Sequence, residues 1–327
     1  MDHHRPGGGF RNPWPDATPA GGRAFFRWVL ERRTQRRLKD PGPRPFRPRE
    51  PAFPSPRAAA DVVTVTWVGH ATFLLQIGGV NVLTDPMWSE RASPVQFAGP
   101  RRFAPPGVAF DALPPIDIVL QSHNHYDHLD EDTVHRLAHR DPGAVWLAPL
   151  GVGPQLREWG VEQAHELDWW GSARFGSLRL TSTPAQHFSG RGVRDRDRSL
   201  WCGWALRAGS RAIWFAGDTG YHPEFASIGE RAGPFDVALV PVGAYEPRWF
   251  MRPVHMNPED AVQAFRDLRV AHAMVPMHWG TFKLTDEPVA EPPVRTAAAW
   301  RAAGLPEDSL WILDPGETKV VPRVLPD

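Results

Sequence analysis

Ser122-His123-Asn124-His125-Tyr126-Asp127-His128-Leu129 follows, after Gln121, the apolar run Ile116-Asp117-Ile118-Val119-Leu120, which reads as a strand. Four metal-competent side chains, His123, His125, Asp127 and His128, fall in the spacing H-x-H-x-D-H, which packing alone explains poorly. On a chain that stays extended past the strand, His123 and His125 point to one side, and a turn beyond them brings Asp127 and His128 round as a second pair. That geometry suits two neighbouring metal ions. Imidazole and carboxylate without thiolate favour zinc, and manganese or iron accept the same ligands.

Outward from this stretch the texture is that of strands separated by turn signals. Upstream, "VVTVTWV" (62–68), "TFLLQI" (72–77) with Gly78-Gly79 behind it, and "VNVLTDP" (80–86) predict a meander, with Asp85 where its last run ends. Downstream, 130–140 reads as a helix with Asp130 as N-cap and Val134 and Leu137 on one face. His135 and His139 lie four apart on it as a candidate ligand pair, though surface histidines at this spacing are common. Three later runs each lead to a ligand-type residue: "LRLTSTPAQ" to His187, "AIWFAG" to Asp218 and "AHAMVPM" to His278. Ligands just past strand ends are what a site built on rigid sheets requires, because the loops beyond converge at one rim. A fourth run, "DVALVPVGA", leads to Tyr245-Glu246-Pro247-Arg248-Trp249. Asn257 as N-cap, Pro258 at the first helical position and Glu259-Asp260 behind it predict a helix to about Arg269, with His255 just before it. Near the C-terminus a helix should stop at Gly304 and Pro306, and "TKVVPRV" should form a last strand.

The chain has 327 residues, 37 basic and 37 acidic, with zero formal net charge, which argues against a nucleic-acid partner held by bulk electrostatics. Its single cysteine, Cys202, excludes an intrachain disulfide framework. No apolar run approaches the roughly 20 residues of a membrane span, and "MDHHRPGGGF" lacks a signal-peptide pattern. The expectation is a cytoplasmic protein with peripheral membrane contact open. Residues 1–60, dense in Pro, Gly and Arg, read as an extended arm in front of a domain spanning 61–327. Within the arm, 22–39 reads as a short amphipathic helix carrying Phe25, Phe26, Trp28, Val29 and Leu30 and then several arginines. Either its aromatics enter lipid while its arginines meet phosphates, or they pack on the domain.

The segments "GHATFLL", "LTDPMWSERASP", "SHNHYDHLD", "QHFSGRG", "FAGDTGY", "PVGAYEPRWFM", "HMNPEDA" and "MHWGTFKL" together resemble metallo-β-lactamase-fold hydrolases, from about Thr66 to the C-terminus. More narrowly they resemble the N-acylphosphatidylethanolamine-hydrolysing phospholipase D group and its bacterial relatives. The resemblance implies an α/β fold, the four-layered αβ/βα sandwich, with the site at one edge of two sheets. It implies two Zn2+ ions, one held by His123, His125 and His187 and the other by Asp127, His128 and His278, with Asp218 bridging. Asp127 and His255 would take part in catalysis, and His70 and Asp85 would stand in or behind the ligand shell. The implied reaction splits a phosphodiester of an N-acylphosphatidylethanolamine-like lipid, releasing N-acylethanolamine and phosphatidic acid. Phe188, Tyr245, Trp249, Phe250, Trp279 and Phe282 are candidates to line an acyl-chain groove. The rival enzyme is a metal-dependent lactonase or ester hydrolase acting on a small polar substrate; a non-catalytic membrane-binding module is the rival from another class, and a homodimer is left open.

Overall fold

A computed structural model describes residues 2–34, 46–192 and 194–323. The first sheet holds β1 (Thr64–Gly69), β2 (Thr72–Ile77), β3 (Val80–Thr84), β4 (Ile118–Leu120), β5 (Val145–Pro149) and β6 (Ala164–Leu167). The second holds β7 (Ser172–Phe175), β8 (Leu178–Thr183), β9 (Gly203–Ala208), β10 (Arg211–Phe215), β11 (Val237–Pro241) and β12 (Ala273–Met277), while β13 (Thr318–Val320) returns to pair with β1. The expected meander is β1-β2-β3, antiparallel, and β3 to β6 continue in parallel. The second sheet repeats this plan: β7 to β10 are antiparallel and β10-β11-β12 parallel.

Side-chain alternation explains how the layers stack. Trp67, Phe73, Leu75, Val82, Ile118 and Leu120 point from the first sheet toward Leu180, Trp204, Leu206 and Phe215 of the second. Their neighbours Val68, Leu74, Leu83, Val119 and Trp146 point the other way. There they meet Val134 and Leu137 of a helix at Glu131–Arg140 and Leu156 of another at Gly153–Glu158. Strands covered on both faces read as nearly unbroken apolar runs, and each large side chain so buried contributes roughly 1.5–3 kcal/mol.

In chain order the helices are α1 (Gly22–Thr34), α2 (Glu131–Arg140), α3 (Gly153–Glu158), α4 (Phe225–Ala232), α5 (Arg248–Met251), α6 (Pro258–Asp267) and α7 (Glu291–Ala302). Phe225 of α4 packs on Trp214 of β10, and Phe265 of α6 on Trp300 of α7, which covers the outer face of the second sheet. The result is the four-layered sandwich that the resemblance implies. Asn257 caps α6 in a full capping box with Asp260. Asp130 occupies the N-cap position of α2 without capping it, because its carboxylate turns to accept from Ser89 and Thr133.

The segment before β1 lies on the sandwich. Phe10, Ala17, Trp28 and Phe46 are buried. Trp28 of α1 packs against Met251 and Val254, and its Nε1 donates to Asp286 at 2.6 Å. The helix expected over 22–39 is seen to Thr34; its remaining residues lie outside the described ones.

Candidate metal centre

Asp85 organises the loop behind β4. Its Oδ1 accepts from the Ser122 N–H at 2.6 Å and from Gln121 Nε2 at 3.1 Å; its Oδ2 accepts from Ser122 Oγ at 2.5 Å and His128 Nδ1 at 2.7 Å. One fully buried carboxylate therefore ties the beginning of the loop to its end. The bond to Nδ1 fixes the His128 ring so that Nε2 faces Asp127 and Asp218, at 3.4 and 3.2 Å. Carboxylates behind ligating imidazoles commonly set ring orientation in this way. His123 Nε2 and His125 Nδ1 come within 2.9 Å of each other.

The later residues arrive from the rim of the second sheet. His187 Nδ1 donates to the Val254 carbonyl at 2.9 Å, and Nε2 lies 3.2 Å from His125 Nδ1. Its backbone is gripped by Asn12, whose Nδ2 donates to the His187 carbonyl at 2.9 Å and whose Oδ1 accepts from the His187 N–H at 3.2 Å. Asp218 follows Gly217, where a Cβ would stand 2.6 Å from that of Ser122 and φ is 60°. Its Oδ2 lies 3.1 Å from His278 Nε2, 3.2 Å from His128 Nε2, 3.7 Å from His187 Nε2 and 4.0 Å from His123 Nε2. It thus sits between two groups: His123, His125 and His187 on one side, and Asp127, His128 and His278 with His70 on the other. His70 Nε2 is 2.8 Å from Asp127 Oδ2, and its carbonyl accepts from the His278 N–H. His70, Asp85 and His278 all have positive φ, at 54°, 33° and 59°. Such backbone costs on the order of 1–3 kcal/mol per residue and gathers at functional sites.

The charges match a cation site. Burial is the largest influence throughout, and it holds His123 well below the ordinary imidazole range, His70 and His125 at about 3 and His187 at about 4. These four rings are neutral at neutral pH, with lone pairs to offer. Burial acts against the charge of Asp127 and Asp218, yet the facing His128 and His278 keep both carboxylates well below their usual range. Against that same burial, Asp218 and Asp127 raise His278 to about 9 and His128 well above the ordinary value. Asp218 Oδ1, His128 Nε2 and His255 Nδ1 are buried without a hydrogen-bond partner. Nitrogens crowded to 2.9 Å and orphaned polar atoms around two ionised carboxylates fit a pair of dications better than a closed hydrogen-bond network.

His255 also faces this cluster, with Nδ1 4.0 Å from Asp218 Oδ2, and burial keeps its ring neutral. A cavity of about 440 Å³ opens over His125, Asp127, Asp218 and His255, and Phe25, Trp28, Phe188, Phe250 and Met251 form much of its wall. Two of the six aromatic candidates, Phe188 and Phe250, are among these. Trp279 instead stacks on Trp67 in the core, the Tyr245 hydroxyl donates to Glu291, Phe282 packs on His70, and Trp249 lies under Arg27. His135 and His139 are exposed on α2 and belong to no ligand group among the described residues. Asn12 carried no local signal, since its partner His187 lies far along the chain, whereas Phe25 and Trp28 were legible only as aromatics of a helix and not as cavity wall.

Residues 80–279 match the family model of the beta-lactamase superfamily domain. An uncharacterized protein of Mycobacterium tuberculosis is 46% identical over 260 residues, covering 76% of this chain and 69% of that protein. The N-acyl-phosphatidylethanolamine-hydrolyzing phospholipase D 1 of Caenorhabditis elegans is 43% identical over 238 residues, covering 69% and 67%. Among solved structures, Igni18, a metallo hydrolase of Ignicoccus hospitalis, superposes with a TM-score of 0.61 at 26% identity, covering 80% of this chain and all of that one.

Proposed function

The chain belongs to the beta-lactamase superfamily, and on that premise we propose that this metal-dependent hydrolase is a zinc-dependent phosphodiesterase of the phospholipase D type. Its substrates would be N-acylphosphatidylethanolamine-like lipids, split into N-acylethanolamine and phosphatidic acid. The observation that carries the reading is the cavity. Its floor is imidazole and carboxylate, and its wall is largely aromatic and aliphatic, so a charged phosphodiester and an acyl chain are accommodated in one continuous space. The name of the 43% identical Caenorhabditis elegans relative points the same way.

His123, His125 and His187 would hold one cation, and Asp127, His128 and His278 the other, with Asp218 shared. Bound there, two cations supply a water-derived nucleophile near neutral pH and positive charge for phosphoryl oxygens. The protein's own part is positional. Asp85 and the Val254 carbonyl lock the His128 and His187 rings, and Asn12 fixes the His187 backbone. His255, neutral and facing Asp218 from the cavity wall, offers an N–H to a phosphoryl or leaving oxygen. Phe188 and Phe250 exclude water beside it. The test is hydrolysis of a panel of N-acylphosphatidylethanolamine, other phospholipids, a soluble phosphodiester and lactones, with zinc restored to metal-free protein. Turnover of lactones alone moves the chain to the ester-hydrolase reading.

No helix among the described residues is long and apolar enough to cross a membrane. Lipid would reach the cavity from a surface, and α1 offers one: Trp28 is buried, while Phe26 and Leu30 are 69% and 61% exposed beside the cavity wall. Phe26→Ser with Leu30→Ser should reduce co-sedimentation with anionic liposomes and lower turnover of vesicle-borne lipid by about 10-fold, the loss of roughly 1.4 kcal/mol of contact. Turnover of a soluble phosphodiester should not change. Unaltered sedimentation would assign α1 to packing alone.

A further inference from the structure

His3, His4 and Asp168 lie away from the centre described above and form a separate constellation. His4 makes an antiparallel bridge with Phe10, so the chain there is extended, and neighbouring side chains on extended chain normally point to opposite faces. Here they do not. The two rings are 4.4 Å apart, and each presents its Nε2 to the same carboxylate: His3 to Oδ1 at 2.6 Å and His4 to Oδ2 at 2.8 Å. Neighbouring rings hold them there, Trp169 stacked on His3 at 4.2 Å and Phe10 edge-on to His4 at 5.2 Å. Asp168 stands at the passage from β6 to β7, where the chain leaves one sheet for the other, and the Trp169 N–H donates to its Oδ1. All three ligand atoms lie within 4.8 Å of one another.

We propose that His3, His4 and Asp168 bind a third divalent cation, of the zinc class, that clasps the segment before β1 to the sandwich. Two imidazole nitrogens and one carboxylate oxygen supply three ligands, and the exposed side of His4 leaves the fourth position to water. Ligand atoms about 2.0–2.2 Å from a tetrahedral zinc are about 3.3 Å apart, and the nitrogen–oxygen distances of 2.6 and 2.8 Å would lengthen toward that value on binding. The absence of thiolate selects a borderline cation over a soft one. The clasp has a purpose in the fold. The segment it fastens carries Asn12, which holds the His187 backbone, and then Phe25 and Trp28, which wall the cavity.

The site does not depend on the two-metal reading, and zinc counting separates the two. Tag-free protein is equilibrated with excess zinc, desalted, and its bound zinc measured by mass spectrometry. His3→Ala with His4→Ala should bind one equivalent less than the unaltered chain, and so should Asp168→Asn, which keeps the size and the fold of the turn. Asp127→Ala with Asp218→Ala should lose zinc from the central site and retain the clasp equivalent. Adding His3→Ala with His4→Ala to this last variant should abolish the zinc-dependent rise in melting temperature that it otherwise retains. If the His3/His4 and Asp168 variants bind as much zinc as the unaltered chain, the three residues form hydrogen bonds only and the proposal is overturned. Loss of zinc in those two and none in the Asp127/Asp218 variant would keep the clasp and refute the central site.

Discussion

Asp218→Ala will empty the central site of at least one cation and lower turnover by more than roughly 10²-fold, the upper end of what outer partners of a metal site contribute. Its Oδ2 lies within 3.1–3.2 Å of His128 and His278 and within 3.7–4.0 Å of His187 and His123, so it reaches both ligand groups. In the metal-free protein, removing it also strips the buried His128 and His278 rings of a facing carboxylate. Breaking a buried pair by deleting one partner typically costs about 3–5 kcal/mol. Asp218→Asn keeps the shape and separates the two effects: it should retain the fold, measured by circular dichroism, while zinc content and turnover still fall. Two equivalents of zinc retained at the central site by both variants would contradict the bridging role.

His255→Ala will lower turnover by roughly 10²–10³-fold with zinc content unchanged, within the range expected of a positioned proton-handling group. The resemblance placed this residue in catalysis without fixing its part. Its neutral, buried ring favours donation of a hydrogen bond over proton release from an imidazolium. His255→Gln, which can still donate from about the same place, should recover part of the loss in kcat. Because His255 also converges with His187 and Asp218, metal analysis decides its class: a lost equivalent of zinc in His255→Ala would make it a ligand.

Local signals account for what was legible in the sequence. The H-x-H-x-D-H spacing behind an apolar run, the Gly78-Gly79 turn of the meander and the Asn257-Pro258 start of α6 each act over a few residues, so a linear reading finds them. The edge strands β6 and β7 are short and partly exposed: β6 has no apolar run or alternation, and β7 alternates over only four residues, too few to stand out in a linear reading. Helix α4 carries Gly229 in its interior, where a Cβ would strike the Leu268 carbonyl at 2.6 Å; its propensity is low and tertiary packing decides it. Groove-lining aromatics could not be told from core aromatics by type, and Trp279 went to the core because its indole stacks on Trp67. The segment before β1 reads as an arm from its composition. The contacts that bind it, such as Asn12 to His187, span 175 positions and leave no periodic trace.

The bond that breaks is the most direct measure of the proposed activity. Protein turning over N-acylphosphatidylethanolamine in oxygen-18 water should place the label in phosphatidic acid and leave the N-acylethanolamine unlabelled, because on the proposed reading a water-derived nucleophile would attack phosphorus. Label in a released fatty acid, with the phosphodiester intact, would mean attack on an acyl ester and would contradict the account.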